Sequence, residues 1–164
     1  MTLKTYAASD VAKFILSMAN PEENDFSNLK LQKLCYYAQG LATSMRGVPL
    51  FKERIAAWDH GPVVEALYHQ YKMHKADPIP PVEGFDPSIF DGADQKAIAD
   101  IVEHFGQYSA WGLRGMTHNE PPWANAYNQA PGTEISVESM VDYFRPMVDD
   151  EYVKRIYGQV QGAK

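Results

Sequence analysis

The segment from Ser27 to Gly47, SNLKLQKLCYYAQGLATSMRG, constrains the fold more than any other stretch of the chain. Leu31, Leu34, Cys35, Ala38, Leu41, Ala42 and Met45 recur at spacings of three and four, and at about 100° per residue they share one arc of roughly 120°. That is the pattern of an amphipathic helix. Ser27 stands where an N-cap hydroxyl can accept a first-turn amide, and Gly47 where a left-handed C-terminal residue is easily adopted. The opposite side carries Leu29, Lys33, Tyr36, Tyr37 and Gly40, with two rings and a glycine where a surface helix would carry charges. Such a helix needs protein on both sides, and the other elements are expected to wrap around it.

Those other elements read as mostly helical. Ser9 precedes Val11, Phe14, Ile15 and Met18, a short capped helix that should stop near Asn20 and Pro21. Val48 to Trp58 is too short and mixed for a long helix and suits an extended arm or small hairpin. Gly61 and Pro62 read as a helix start, with Val63, Val64, Leu67, Tyr68 and Tyr71 as its apolar face. Lys75 to Ala93 is rich in proline and holds little regular structure, and Val82, Phe85, Ile89 and Phe90 pin it to the core. Ile98, Ile101, Val102 and Phe105 mark a helix from Asp94 that ends at Gly106. Ser109 caps a short helix over Ala110 to Thr117, and Pro121 and Pro122 force an extended turn before Trp123. Ser136 opens a helix through Phe144 that Pro146 ends or kinks, and a last helix covers Asp149 to Tyr157 before a frayed tail, GQVQGAK. The fold class is therefore mainly α: one compact helical domain, 1–164 with its core over about 9–157, around a central buried helix, with a short β-hairpin or extended arm near 48–58.

Charge and composition narrow the functional classes. The chain has 164 residues and a net charge of −6, and its basic residues cluster only at Lys72 to Lys75. Phosphate neutralisation, and with it nucleic-acid binding, is disfavoured. The single cysteine, Cys35, excludes an internal disulfide and a cysteine-based zinc site, and its place on the apolar arc makes it a small buried hydrophobe. No apolar run approaches the roughly eighteen residues of a membrane span, and no leader is evident, so the chain reads as cytoplasmic.

Chemistry-bearing patterns are sparse. Asp59 and His60, before the expected helix start, could act as an oriented acid and base, but they fit local capping and packing near Trp58 better. His69 and His74 are five apart and point about 140° away from each other, so they do not share a metal. HExxH, a Walker loop, GxGxxG and GxSxG are all missing from the sequence, and neither a cofactor nor a metal is expected. The three tryptophans, Trp58, Trp111 and Trp123, and the ten tyrosines are the most suggestive compositional signal, since amphipathic rings serve both cores and interfaces. THNEPPW, Thr117 to Trp123, reads as an exposed recognition loop.

LKLQKLCYYAQGLA (Leu29 to Ala42), GVPLF (Gly47 to Phe51), IAAWDHGPVVEALY (Ile55 to Tyr68) and the T-x-x-E-x-P-W of Thr117 to Trp123 together resemble the Panacea domain family, also met as phage-associated GepA-like and SocA-like proteins. The match runs from about Val11 to Phe144. The resemblance implies a mainly helical, non-catalytic antitoxin that binds and neutralises a toxin encoded nearby. Family motif positions fall on Lys30, Gln32, Lys33, Tyr36, Tyr37, Trp58, Gly61, Pro62, Val63 and Tyr68, while Cys35 stands where an aliphatic residue is commoner. Candidate partner contacts are Lys30, Lys33, Tyr36, Tyr37, Trp58, Asp59, His60, Thr117, Glu120 and Trp123.

Three readings follow. The first is a toxin-neutralising binding module, as a homodimer or a hetero-oligomer with its toxin, with Lys75 to Ala93 and THNEPPW setting specificity. The second is a small hydrolase using Asp59 and His60 with Glu120 or His118, which requires those side chains to converge around a pocket. The third is a prophage-associated interaction protein without a toxin.

Overall fold

The computed structural model describes residues 3–158. Among them are eight α-helices: α1 (Ala8–Ser17), α2 (Asn28–Arg46), α3 (Glu65–Tyr71), α4 (Gly92–Phe105), α5 (Ala110–His118), α6 (Pro121–Gln129), α7 (Val137–Phe144) and α8 (Asp150–Tyr157). Three short strands, β1 (Ile55–Trp58), β2 (Gly61–Val64) and β3 (Glu134–Ile135), form an antiparallel sheet in the order β2-β1-β3. The fold is mainly α, as the periodicity predicts.

Helix α2 is the axis of this arrangement. The Ser27 hydroxyl accepts the Lys30 N–H at 3.3 Å, and Gly47 ends the helix with φ 76°. Every residue between them is buried except Leu29 and Leu41, which are half-buried. Helices α1, α3, α4, α5, α7 and α8 and strand β2 all pack on it. Its apolar arc joins one continuous core with Val11, Ile15, Phe51, Ile98 and Phe144.

The other flank of α2 is buried through polar groups. Lys30 donates to the Gly106 carbonyl at 2.7 Å and to Asp25 at 2.8 Å. Gln39 donates to the Phe51 carbonyl at 2.7 Å and accepts the Leu50 N–H at 3.0 Å, which holds the arm after Gly47 flat against the helix. Arg46 pairs with Asp94 at 3.0 Å with both side chains fully buried, and Tyr6 and Tyr157 donate to the same carboxylate at 2.6 and 2.7 Å. Buried polar groups persist only when their hydrogen bonds are met, and here α2 supplies partners to backbone that no sheet or helix completes.

Several boundaries differ from the sequence expectation. The hairpin spans Ile55 to Val64, so Gly61, Pro62, Val63 and Val64 form a strand and the helix begins only at Glu65. Pro62 is tolerated because β2 is an edge strand and proline needs no ladder donor on the outward side. Helix α1 has Ala7 rather than Ser9 at its cap, and the first-turn amide of Ala8 is met instead by Glu53 at 3.0 Å. Pro121 and Pro122 open helix α6 instead of an extended turn, since the first helical residues need no N–H partner. In the strap after α3, Phe90 is buried and Phe85 half-buried as expected, while Val82 and Ile89 are exposed and Ile79 is the buried anchor. Of the frayed tail expected after Tyr157, 158–164, all but Gly158 lies outside the described residues. No described helix is long and apolar enough to cross a membrane.

Candidate partner-binding face

The β1–β2 hairpin ends in a two-residue turn, Asp59 and His60, and α2 fixes it from beneath. Lys33 Nζ donates to the Pro62 carbonyl at 3.0 Å, and Gln32 Oε1 accepts the Val64 N–H at 2.9 Å. These two side chains complete the outer edge of β2 as a further strand would. Gly61 has φ 111°, and a Cβ there would lie 2.5 Å from Lys33 Cε and 2.9 Å from Thr117 Oγ1. Only glycine supplies both that conformation and that clearance. Full burial, together with the Arg114 charge, pulls the Lys33 amine down to about 7.

Behind the turn lies a second polar cluster. Glu120 accepts the Tyr36 hydroxyl at 2.9 Å and the Tyr37 hydroxyl at 2.7 Å, one on each carboxylate oxygen. Burial pushes its carboxyl up to about 7 against the two hydroxyls, which favour the charged form. The rings are caged: Tyr37 stacks on Phe105 at 3.9 Å, and both tyrosines meet Phe144 edge-on. Gly40 makes this possible, because a Cβ there would sit 2.4 Å from the Phe144 ring.

The outer surface has a different character. Asp59 and His60 are exposed and Trp58 is half-buried. His60 Nδ1 accepts Arg114 Nε–H at 2.9 Å, and the Arg114 guanidinium lies 4.8 Å over the ring of Trp111, which is 63% exposed. His60 also meets Trp111 edge-on at 5.6 Å. Tyr127 donates to Asp59, and its ring stacks on Trp123, which stacks in turn on His118. Trp123 Nε1 donates to the Trp58 carbonyl at 2.8 Å, tying this stack to the hairpin. Burial, with the Arg114 charge, holds His118 below the usual imidazole range.

The candidate residues therefore divide. Trp58, Asp59 and His60 reach the surface, whereas Lys30, Lys33, Tyr36, Tyr37, Thr117, Glu120 and Trp123 are buried. The THNEPPW segment, expected as an exposed loop, is the α5–α6 junction, with Thr117, Glu120, Pro122 and Trp123 turned inward. Trp111, Arg114 and Tyr127 are absent from the candidate set. A signal for the first two exists: Leu113 and Thr117 share the buried side of α5, which leaves Trp111 and Arg114, three apart, together on the open side.

Of the hydrolase candidates, both Glu120 oxygens are held by phenols, His60 Nδ1 accepts from Arg114, Asp59 accepts from Tyr127, and His118 is hydrogen-bonded to the Asp59 backbone. Among the described residues, no group of three or more His, Cys, Asp or Glu side chains is placed to hold a metal.

The family model described as antitoxin SocA-like, Panacea domain, matches residues 31–124, which include α2, the hairpin and the α5–α6 junction. The antitoxin SocA of Caulobacter vibrioides (strain NA1000 / CB15N) is 29% identical over 141 residues, covering 79% of this chain and 74% of that protein. No solved structure matches.

Proposed function

The chain belongs to the antitoxin SocA-like, Panacea domain family, and from that premise we propose that it neutralises a protein toxin encoded nearby by direct association. The observation that carries this reading is the exposed Trp111, held between Arg114 and His60 on a turn that α2 fixes from within. A large ring left in water on a rigid support loses little entropy on contact, and tryptophan and arginine dominate interface energetics. Trp58, Asp59 and Tyr127 extend the face. The buried candidates serve it from behind: Lys33 and Thr117 set the turn, and Tyr36, Tyr37 and Glu120 brace the α5–α6 junction against α2.

On this reading the protein works in the cytoplasm, where its toxin is made, and needs no cofactor. Co-expression with the toxin of the neighbouring gene should restore growth and give a complex on size exclusion. Neutralisation by association is stoichiometric, so protection should end once toxin exceeds this chain. Protection by a small fraction of an equivalent would indicate turnover and overturn the binding mechanism.

A further inference from the structure

The hairpin turn also borders a groove of about 570 Å³ between the first turn of α2, the hairpin and α3. Leu29, Val63, Trp58 and Tyr68 give it an apolar lining, and Lys72 and Lys75 stand at its side. The Trp58 and Tyr68 rings meet edge-on at 4.9 Å, so each fixes the other.

The charges around this groove are unevenly satisfied. Glu65 is taken by Trp58 Nε1 at 3.2 Å and by Arg54 at 3.2 Å, and Asp59 is taken by the Tyr127 hydroxyl. Lys72 and Lys75 are exposed and have no carboxylate partner among the described residues. In a chain with 21 acidic against 15 basic side chains, this edge carries two ammonium groups beside an apolar lining. Lys75 is also the one described non-glycine residue with positive φ, at 53°, a conformation L-residues rarely hold without a constraint. Its N–H bonds the Lys72 carbonyl at 3.0 Å, which closes the turn that brings the two lysines to one edge.

The two side-chain amides inside the groove are already used. Asn28 bonds Gln32 and the Tyr68 carbonyl, and Gln32 bonds Val64. A small-molecule site usually offers several convergent polar groups that fix orientation, and here, beyond the bonded amides, the Tyr68 hydroxyl, His60 Nε2 and the two ammonium groups at the edge are the groups left for that purpose. The rest is apolar contact flanked by positive charge.

The geometry points to this groove as the seat of an acidic peptide segment of the partner, with an apolar or aromatic side chain between Leu29, Val63, Trp58 and Tyr68 and a neighbouring carboxylate held by Lys72 and Lys75. Asp59 and His60 line both the groove and the Trp111 face, so one partner can span the two. The inference rests on the partner-binding reading and names the chemistry that reading leaves open.

The test is selection of a displayed random dodecapeptide library against the full chain, followed by fluorescence polarisation with the strongest selected peptide. Selected peptides should carry Asp or Glu beside Phe, Trp or Leu. The double variant Lys72→Glu, Lys75→Glu, altered only at exposed positions, should bind that peptide at least about tenfold more weakly, while Lys154→Glu, a charge reversal on α8 away from the groove, should leave peptide affinity unchanged. Peptides without acids, equal binding by the charge-reversed variant, or full displacement by free 3-phenylpropionate at matching concentration would overturn the proposal, the last by assigning the groove to a small carboxylate. Growth rescue separates the two levels. Failed peptide binding with intact rescue removes the groove alone, whereas acidic-peptide binding by a chain that rescues no toxin removes the antitoxin reading alone.

Discussion

Lys33 Nζ, fully buried in α2, donates to the carbonyl of Pro62 on the outer edge of β2 at 3.0 Å. An edge carbonyl shut away from water needs a donor, and among the described residues no further strand lies beside β2 to give one. A lysine does so instead, with Gln32 meeting the next outward amide, that of Val64. A helix side chain thus sets where the hairpin lies and where its turn meets solvent.

Gly61→Ala should destabilise the protein by about 2–5 kcal/mol in urea unfolding, combining a disfavoured backbone with a Cβ forced onto Lys33 and Thr117. Gly84→Ala is the control. Gly84 also has positive φ, at 71°, but nothing lies within 4 Å of an added Cβ, so its cost should be confined to roughly 1–2 kcal/mol of backbone strain.

Glu120 and Lys33 should give opposite pH slopes. The carboxyl titrates near 7 in the fold against an ordinary 4.5, so the folded state holds the extra proton between those values. Stability relative to Glu120→Gln should then fall as pH rises through that window, by up to about 3 kcal/mol, and level off above it. The Lys33 amine titrates near 7 against an ordinary 10.5, so the unfolded state holds the extra proton there, and stability relative to Lys33→Met should rise from pH 7 to 10.5. Urea midpoints across a pH series for the three proteins read both slopes.

Trp111→Ala should leave unfolding free energy within about 0.5 kcal/mol, because the ring is mostly in solvent, whereas Arg114→Ala also removes a charge that bears on buried Lys33 and on His118. Affinity for the toxin, read by titration calorimetry, should fall at least roughly tenfold for Trp111→Ala. Undiminished affinity in both variants would move the contact surface elsewhere.

Asp94→Ala should cost about 3–5 kcal/mol in urea unfolding, since it leaves the Arg46 charge in the core and removes the acceptor of Tyr6 and Tyr157. The double variant Arg46→Met, Asp94→Leu should cost less than the sum of its single changes, as removing both charges avoids an uncompensated one.

Local sequence chemistry made much of the helical scaffold readable. Ser27, Ser109 and Ser136 each accept a first-turn amide, and Gly47 is left-handed, all within a few residues of the cues that predict them. Pro62 and Pro121 were harder because proline's meaning depends on its neighbours: the same missing N–H suits an outward edge position in β2 and the first turn of α6. Periodicity marked α2 as two-sided. It could not tell whether Lys33, Tyr36 and Tyr37 faced a partner or other parts of the same chain.

From the sequence alone came the helical class, the central helix with both its ends, and the family, because caps and apolar periods act over a few residues and motifs are read in order. The tertiary structure decided which polar side chains went inside and which rings stayed out. Lys33 is buried because the Pro62 carbonyl, 29 residues away, needs its proton, and Trp111 is exposed because Leu113 and Thr117 take the inner side of α5. Hydrogen-bond satisfaction between distant segments has no local signature, so the surface left for a partner emerges only when the whole chain has closed around α2.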